Sequence, residues 1–467
     1  MRRLRLYKKT ISIVDELSID MYEALVGEDK GFLLESYDKN YDRYTFMGAN
    51  PEEIIRSEKN SLIIENSKGE KIVKEGNPLE LLKEYYSDFE ILSDDNSPFK
   101  GGLVGSLGYD YIRYFEKLPK ENPDEIGIDT IQMMLMKNFV VIDHVAETLS
   151  AIVLDEDNEE GKKRALKLAE QMTQKCRTAP KNKEKKFVRD GKIIHKSDSL
   201  TDYSQKVDKI KEYIKEGHVF QTVLSQRWTI QSKQKGFDLY KKLREVNPSP
   251  YLYYFNFGDF ELIGSSPEML VKLQDKKVYT CPIAGTRPRG KNEEEDEMLK
   301  KELLDDEKEK AEHAMLVDLS RNDMGKISEF GSVKVTRFME VQNYSHVMHI
   351  CSMVEGRKII SCHPLDLVGS FLPAGTLSGA PKIRAMEIIE ELENSKRGLY
   401  GGATGHIDFS GNMDFCITIR SMIKKADKVY LQAGAGIVAD SIGENEYKEC
   451  CNKVMALAKT LVEEENL

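Results

Sequence analysis

The sequence predicts an α+β protein built from large antiparallel β-sheets flanked by helices. Strand-like runs recur along the whole chain, polar turns join many of them as hairpins, and helical segments seldom separate consecutive strands. The early run GFLLES (31–36) and the later run ATGHIDFSGNMDFCITIRSMI (403–423) are typical of this pattern. Parallel strands need long crossover connections, so these short connections favour antiparallel pairing.

Apolar residues at helical spacing predict helices in several segments of the chain. These lie near 78–89, 159–177, 203–217, 294–322, 363–371, 379–394 and 444–463. Residues 175–198 are basic and polar with almost no apolar periodicity, which predicts a linker. We therefore expect an N-terminal region, residues 1–190, interleaved with the core of a second domain, residues 195–467.

The composition excludes several classes of protein. The 467 residues contain 69 Lys and Arg against 79 Asp and Glu, a net charge of −10, so we expect no nucleic-acid partner. An anionic substrate would need local positive charge. No apolar run reaches the roughly 18 residues of a membrane helix, and we expect no membrane association. Seven Cys without CxxC pairs predict reduced thiols and a cytoplasmic protein.

Two pairs of glutamates are candidate metal ligands. Glu309 and Glu312 are three residues apart in a helical segment, and so are Glu446 and Glu449, which places each pair on one helix face. Carboxylates on two facing turns would suit Mg²⁺. Glu-rich helices are more often simply solvated, so the spacing alone leaves both interpretations open.

Other residues could bind an anion or transfer a proton. The Gly-Ala-Gly run 434–436 could present backbone N–H groups to an anion or form a tight turn. Arg420 suits bidentate carboxylate binding, although a surface ion pair is commoner. His349 is a candidate catalyst or a structural residue. Glu268 could be a turn residue or, if partly buried, a general acid with a raised pKa.

Nine segments between Gly217 and Lys453 together resemble the chorismate-binding enzymes. That family includes the large subunits of anthranilate synthase and aminodeoxychorismate synthase, and the isochorismate and salicylate synthases. The segments are GHVFQTVLSQR, GSSPEML, PIAGTRPRG, KEKAEHAMLVDLSRND, YSHVMH, GTLSGAPKIRAMEII, LYGGATGHIDFSGNMDFCITIR, QAGAGIVAD and ENEYKECCNK. The resemblance implies an orthogonal sandwich of two antiparallel sheets with helices outside.

The resemblance also implies which residues bind the ion and the substrate. Mg²⁺ would be held by Glu312 and Glu449, with Glu309 and Glu446 nearby through water, and would neutralise the ring carboxylate of chorismate. The residues implied to contact the substrate are Gly285, Thr286, Tyr400, Arg420, Gly434, Ala435, Gly436 and Lys453.

A few positions select the reaction within the family. Glu268 would protonate the departing C4 hydroxyl, and His349 would assist the loss of pyruvate. Gln221 stands where the water-using members carry a Lys; Gln cannot act as a base, so this site suits ammonia. Ala284 stands where aminodeoxychorismate enzymes usually carry a Lys. The resemblance therefore implies that ammonia adds at C2, and that pyruvate elimination then gives anthranilate, as in tryptophan biosynthesis.

Two partners follow from the same resemblance. The chain has no GxCxG nucleophile segment, so we expect ammonia from a separate glutamine amidotransferase, the small subunit of a heterocomplex. LLES (33–36) and NPSPYLYY (247–254) resemble two halves of a pocket for L-tryptophan as feedback inhibitor. The residues implied to contact tryptophan are Glu35, Ser36, Pro250, Tyr251 and Leu252. Some aminodeoxychorismate synthases hold tryptophan without feedback, so a structural role stays open.

Two alternative functions remain. The first is an aminodeoxychorismate synthase large subunit, against which Ala284 argues. The second is an inactive, tryptophan-binding regulatory subunit. Intact Glu312, Glu449, Arg420 and His349 argue against that alternative.

Overall fold

A computed structural model of the chain gives the fold of most of its length. The described residues are 1–13, 17–36, 43–93, 95–119, 121–180, 187–344, 347–463 and 465. The middle of the predicted linker, residues 181–186, and two residues of the YSHVMH segment, 345–346, lie outside the described residues.

The first part of the chain consists mainly of strands. Its strands are β1 (Arg2–Ser12), β2 (Gly31–Glu35), β3 (Tyr44–Ala49), β4 (Glu53–Glu58), β5 (Ser61–Asn66), β6 (Lys71–Glu75), β7 (Phe89–Leu92), β8 (Gly102–Leu107), β9 (Ile131–Met136), β10 (Asn138–Asp143) and β11 (Thr148–Glu156). Its helices are α1 (Ser18–Leu25), α2 (Pro78–Ser87) and α3 (Glu159–Arg177), with a 3-10 helix at Tyr109–Tyr114.

The second part mixes longer strands with helices. Its strands are β12 (Lys192–Lys196), β13 (Gln221–Gln231), β14 (Tyr251–Asn256), β15 (Glu261–Ser266), β16 (Met269–Gln274), β17 (Lys277–Thr280), β18 (Ile283–Pro288), β19 (Lys334–Asn343), β20 (Val347–Arg357), β21 (Gly379–Ala380), β22 (Ala403–Asp408), β23 (Met413–Ile417), β24 (Ser421–Lys425) and β25 (Lys428–Ile437). Its helices are α4 (Leu200–Lys215), α5 (Gly236–Val246), α6 (Glu293–Asp305), α7 (Glu307–Ile327), α8 (Pro364–Phe371), α9 (Lys382–Leu392) and α10 (Gly443–Ala458), with a 3-10 turn at Gly375–Leu377.

The strands form two large sheets. The first has 13 strands in the order β12-β13-β25-β24-β15-β14-β2-β3-β10-β11-β1-β7, with β21 beside β13. The second has 12 strands in the order β18-β20-β17-β16-β23-β22-β8-β9-β4-β5-β6, with β19 beside β20. Neighbours pair antiparallel, except that β1 and β7 are parallel. The predicted α+β fold of two large antiparallel sheets with helices is confirmed. Both sheets contain strands from before and after residue 190.

Successive side chains of each strand alternate between the two faces of the sheet and so form three apolar layers. Val104 of β8 and Phe139 of β10 share one buried cluster, which lies between the two sheets. The neighbouring Leu103 faces the other way, into a cluster with α2, α7 and α8. Val140 likewise faces a cluster with α1, α3, α5 and α10. Successive side chains of a strand point to opposite faces, so each sheet is buried on both sides.

Two local predictions were wrong. The segment predicted as one helix at 294–322 is two helices, because Asp306 ends α6 and its carboxylate accepts hydrogen bonds from the Lys308 and Glu309 amides as the N-cap of α7. The predicted linker contains β12, whose Ile193 pairs with Ile230 of β13 at the edge of the first sheet. Lysines are common on edge strands, and in β12 they interrupt the alternation of apolar and polar residues by which a strand is recognised in a sequence. Among the described residues, no helix is long and apolar enough to cross a membrane.

The close packing of strands in the second sheet gives a stability prediction. A Cβ on Gly105 of β8 would lie 2.1 Å from the Gln132 carbonyl oxygen. We expect Gly105→Ala to lower the free energy of unfolding by about 1–3 kcal/mol, the usual cost of overpacking. Gly325→Ala is the control, since a Cβ there meets nothing within 4 Å in helix α7. It should stabilise the protein by up to about 1 kcal/mol. Thermal unfolding of both variants tests this, and equal melting temperatures would contradict it.

Candidate active site

A cavity of about 230 Å³ lies where β13 and β25 meet helices α7 and α10. Of the residues predicted from the sequence, its wall contains Gln221, Glu268, Glu312, Tyr400, Arg420, Gly434, Gly436, Glu449 and Lys453. An adjoining hollow shares Arg420, Glu449 and Lys453 with this cavity and also borders Lys448. Residues that are up to 232 positions apart in the sequence therefore face one space.

Gly434 and Gly436 reach this wall because they lie inside a strand. Gly436 of β25 pairs with Val223 of β13, and Gly434 pairs with Ser225. Ala435, between them, points to the opposite side, into a cluster with helices α4 and α9. A Cβ on Gly436 would come within 2.3 Å of the Gln221 amide nitrogen. The absence of side chains at these two positions therefore creates part of the cavity.

The two glutamate pairs are only partly brought together. Glu312 of α7 and Glu449 of α10 face the same cavity, whereas Glu309 and Glu446 are not on its wall. Burial raises the pKa of Glu309 and the charge of Glu312 adds to the rise. Burial likewise raises the pKa of Glu446, and Glu449 adds to it. Such crowding of negative charge is what a bound cation relieves.

The donor set at this end of the cavity fits a magnesium ion. Within the described residues, no three His, Cys, Asp or Glu side chains form a ready-made metal group. Mg²⁺ does not need one, because it usually takes one or two carboxylates and completes its shell with water and substrate oxygens. Glu312 of α7 and Glu449 of α10, which border the same cavity, would supply the two carboxylates.

Three side chains that could donate to an anion, Lys453, Arg420 and Tyr400, border the cavity beside these carboxylates. The Lys453 ammonium donates to the Gly434 carbonyl at 3.0 Å and to Glu449 at 2.6 Å. Burial lowers the pKa of Arg420, and this side chain forms no ion pair with any described residue. Its backbone φ of 51° is in the left-handed region, a strained conformation typical of functional sites. The Tyr400 hydroxyl lies 3.1 Å from the position of a Cβ on Gly434.

Glu268 is a buried carboxyl at the junction of β15 and β16. Burial raises its pKa to about 8, even though a hydrogen bond from Thr376 lowers it. The Thr376 hydroxyl lies 3.1 Å and 3.3 Å from the two carboxyl oxygens. At neutral pH the group therefore holds its proton, as a general acid must.

His349 lies beside the cavity with Gly285 and Thr286, and none of the three is on the wall. Its Nδ1 is 2.8 Å from the Gly285 carbonyl oxygen and 3.1 Å from the Thr286 hydroxyl. A carbonyl only accepts, so Nδ1 carries the proton and Nε2 is the basic nitrogen. Burial lowers the pKa of the ring, which keeps it neutral at physiological pH.

Gln221 contacts one of the carboxylates directly. Its amide nitrogen is 3.5 Å from a Glu312 carboxylate oxygen, a long contact. Its amide oxygen is buried and has no hydrogen-bond partner among the described residues. An unsatisfied buried acceptor is costly, and a donor bound in the cavity would satisfy it.

A second, larger cavity of about 640 Å³ borders β2, β14 and β16. All five residues predicted to contact tryptophan border it: Glu35, Ser36, Pro250, Tyr251 and Leu252. The Glu35 carboxylate accepts from Tyr240 at 2.5 Å and from Arg244 at 3.1 Å, so it ties β2 to α5. Pro267 and Met269 also border this cavity, while Glu268 between them faces the smaller one.

Sequence reasoning missed three residues that shape the site. Thr376 holds Glu268, and Gln432 borders the cavity. Arg397 lies beneath the wall and donates to the carbonyls of Val223 and Leu377. Arg397 and Gln432 act through partners far away in the sequence, so local spacing gave no signal. Thr376 lies in the quoted GTLSGAPK segment, which could have drawn attention to it.

The chain matches the family of chorismate binding enzymes over residues 30–459. This match covers most of the chain and includes every wall residue named above. The chain therefore belongs to the chorismate-binding enzymes, and the family resemblance predicted from the sequence is confirmed. It is a chorismate-utilising enzyme.

Within that family the chain is similar to anthranilate synthase component 1. It is 45% identical over 464 residues to that protein of Acetivibrio thermocellus, covering 96% of this chain and 93% of the relative. It is 41% identical over 465 residues to the Thermus thermophilus protein, covering 99% and 98%. The crystal structure of anthranilate synthase component I from Streptococcus pneumoniae superposes with a TM-score of 0.81 at 38% identity, covering 96% and 99%.

The Thr376 hydrogen bond gives a prediction about Glu268. Because this bond lowers the pKa of Glu268, Thr376→Val should raise that pKa above about 8, whereas Thr376→Ser keeps the hydroxyl and should leave it unchanged. The carboxyl band in difference infrared spectra, followed over a pH titration and assigned by its loss in Glu268→Gln, measures the shift. An equal midpoint in Thr376→Val and the unmodified protein would contradict the assignment.

Proposed function

We propose that this chain is the large subunit of an anthranilate synthase. It would aminate chorismate at C2 with ammonia and then eliminate pyruvate to give anthranilate. The observation that carries the proposal is the meeting, in one cavity, of a carboxyl protonated at neutral pH with two carboxylates and a cluster of anion-binding groups. Its similarity to anthranilate synthase component 1 supports the choice of this member of the family.

Chorismate has two carboxylates, and the cavity offers a separate place for each. Arg420, Tyr400 and Lys453 would bind the enolpyruvyl carboxylate. Glu312 and Glu449 would hold Mg²⁺, which when bound neutralises the ring carboxylate. Glu309 and Glu446 would support the ion through water, and the Gly434 and Gly436 backbone would lie against the ring.

Glu268 would supply the proton for the first chemical step. The C4 hydroxyl leaves as water, so it must gain a proton as its bond to carbon breaks. A carboxyl with a pKa of about 8 holds that proton at neutral pH and gives it up to a strongly basic leaving group. Thr376 keeps the carboxyl aimed into the cavity.

Gln221 supports ammonia as the nucleophile. Its contact with Glu312 leaves the buried amide oxygen as an acceptor for an N–H group. Ammonia needs no base to become a nucleophile, whereas water does. Ala284 supplies no amine that would compete for the ring carbon. This supports C2 amination and not the aminodeoxychorismate reaction.

His349 would take part in the second step. Its Nδ1 proton is fixed by the Gly285 carbonyl, so neutral Nε2 can accept the ring proton that is lost as pyruvate leaves. Loss of that proton, together with cleavage of the bond between the ring and the enolpyruvyl oxygen, makes the ring aromatic, and the departing enolpyruvate takes up a proton to become pyruvate.

A glutamine amidotransferase would deliver the ammonia. The relatives are named component 1, which implies a second component in those proteins. L-Tryptophan would act as inhibitor in the 640 Å³ cavity, where the five predicted residues lie together. Pro267 and Met269, the chain neighbours of Glu268, border that cavity, which supports a direct effect on catalysis.

Turnover of chorismate tests the proposed reaction. The purified chain, incubated with chorismate, Mg²⁺ and an ammonium salt at alkaline pH, should release fluorescent anthranilate and pyruvate in equal amounts. Aminodeoxychorismate without pyruvate would instead identify an aminodeoxychorismate synthase. Absence of any turnover would point to an inactive regulatory subunit.

The metal assignment is tested on one helix. Glu449→Gln should lower magnesium-dependent turnover by at least about 100-fold. Substitution of residues that only support a metal ligand already lowers metal affinity or activity by about 10- to 100-fold. Glu444→Gln is the control: Glu444 lies on the same helix, is exposed and, among the described residues, forms an ion pair only with Lys448. Equal rates and equal magnesium dependence in the two variants would refute the role of Glu449.

The inhibitor cavity is tested by binding and by rate. L-Tryptophan should slow turnover and raise the melting temperature of the unmodified protein, since a ligand of the folded state stabilises it. Ser36→Tyr should fill the cavity and abolish both effects while turnover without tryptophan persists. Tryptophan that stabilises without slowing turnover would indicate a structural role.

A further inference from the structure

Arg397 lies beneath the catalytic cavity and is almost completely buried, with 2% of its surface exposed. It follows α9 and precedes Tyr400. We propose that Arg397 is a positioning residue that holds three separate parts of the chorismate-binding wall in register. The inference rests on the proposed function, because chorismate turnover is its readout.

Two of these parts are held through their main chain. The Arg397 guanidinium donates to the Leu377 carbonyl at 2.5 Å and to the Val223 carbonyl at 2.8 Å. Leu377 closes the turn that carries Thr376, and Val223 belongs to β13 next to Gln221. Both residues border the cavity. One side chain therefore joins the segment that aims Glu268 to the segment that carries Gln221.

The third part is the Tyr400 ring. The guanidinium carbon of Arg397 lies 5.7 Å from the centre of that ring and 4.7 Å from the centre of the Tyr109 ring. Both distances allow cation–π attraction. Burial raises the pKa of Tyr400, so its hydroxyl keeps its proton and can donate it to a substrate carboxylate.

The positive charge is compensated by a single carboxylate. Arg397 donates to both oxygens of Glu393, at 2.9 Å and 2.6 Å. Glu393 also accepts from the Ser225 amide at 2.9 Å and its hydroxyl at 2.8 Å. The Gln432 amide donates to that same hydroxyl at 2.8 Å. Gln432 borders the cavity, so the network reaches the wall at a further point.

Only a guanidinium can satisfy these acceptors together. Its donors lie in one rigid plane and point in several directions, whereas a lysine ammonium is a single point charge on a flexible stem. Arg397→Lys would keep the charge opposite Glu393 but could not reach both carbonyls and the Tyr400 face. This variant therefore tests the positioning role of Arg397 separately from its compensation of the Glu393 charge.

The experiment compares Arg397→Lys with Arg113→Lys. Arg113 forms similar ion pairs with Asp110 and Glu390 but contacts no residue of the cavity wall through any of these bonds. Arg397→Lys should raise the KM for chorismate about tenfold or more, because small misplacements of binding groups are costly in rate and affinity. Arg113→Lys should lower the melting temperature without changing the KM. Equal KM values for the two variants would overturn the inference.

A second measurement shows whether the effect passes through Tyr400. In a Tyr400→Phe background the hydroxyl is already missing, so Arg397→Lys should raise the KM by a smaller factor than in the unmodified enzyme. Equal factors would exclude positioning of the Tyr400 hydroxyl.

If Arg397→Lys does not fold, Glu393→Gln replaces it. This variant weakens one of the interactions that hold Arg397 and should raise the KM by a smaller factor than Arg397→Lys. An unchanged KM would overturn the inference. An unmodified enzyme with no turnover would instead refute the proposed function.

Discussion

The buried ion pair between Arg397 and Glu393 is the interaction on which the arrangement of the site depends. Taking two charges out of water is costly unless further hydrogen bonds satisfy them, and here main-chain carbonyls, a serine and an amide do so. These partners lie on β13 and on the turn at Gly375–Leu377, and Gln432 of β25 joins them through Ser225. The hydrogen bonds that make the buried charges tolerable therefore also fix those segments relative to one another.

The sequence predicted the fold class, most helices and the residues around the cavity, because these are encoded in local periodicity and in long motifs. Its failures have physical causes. The break at Asp306 depends on a cap, and strand β12 depends on the free edge of β13. The orientation of Ala435 follows from strand alternation once the Gly-Ala-Gly run is known to lie inside β25. Arg397 could not be recognised, because its acceptors are 174 and 20 positions away.

Groups of opposite charge lie close together in the cavity, and their proximity determines the chemistry of the site. The chain has a net charge of −10, yet Arg420 and Lys453 face the cavity beside two carboxylates. Burial acts differently on each group: it keeps Glu268 protonated and keeps His349 neutral. An acid and a base can thus coexist at one pH, because burial disfavours the charged form of both groups.

The segment 267–269, where the chain passes from β15 into β16, lies between the two cavities. Its odd-numbered side chains face the larger cavity and Glu268 faces the smaller one. A substitution in this segment that reshapes the larger cavity would also disturb the smaller one, because a change in side-chain volume moves the backbone that the two cavities share. Variants selected for a new response to ligands of the larger cavity should be found mostly on β2 and β14, where the backbone is not shared.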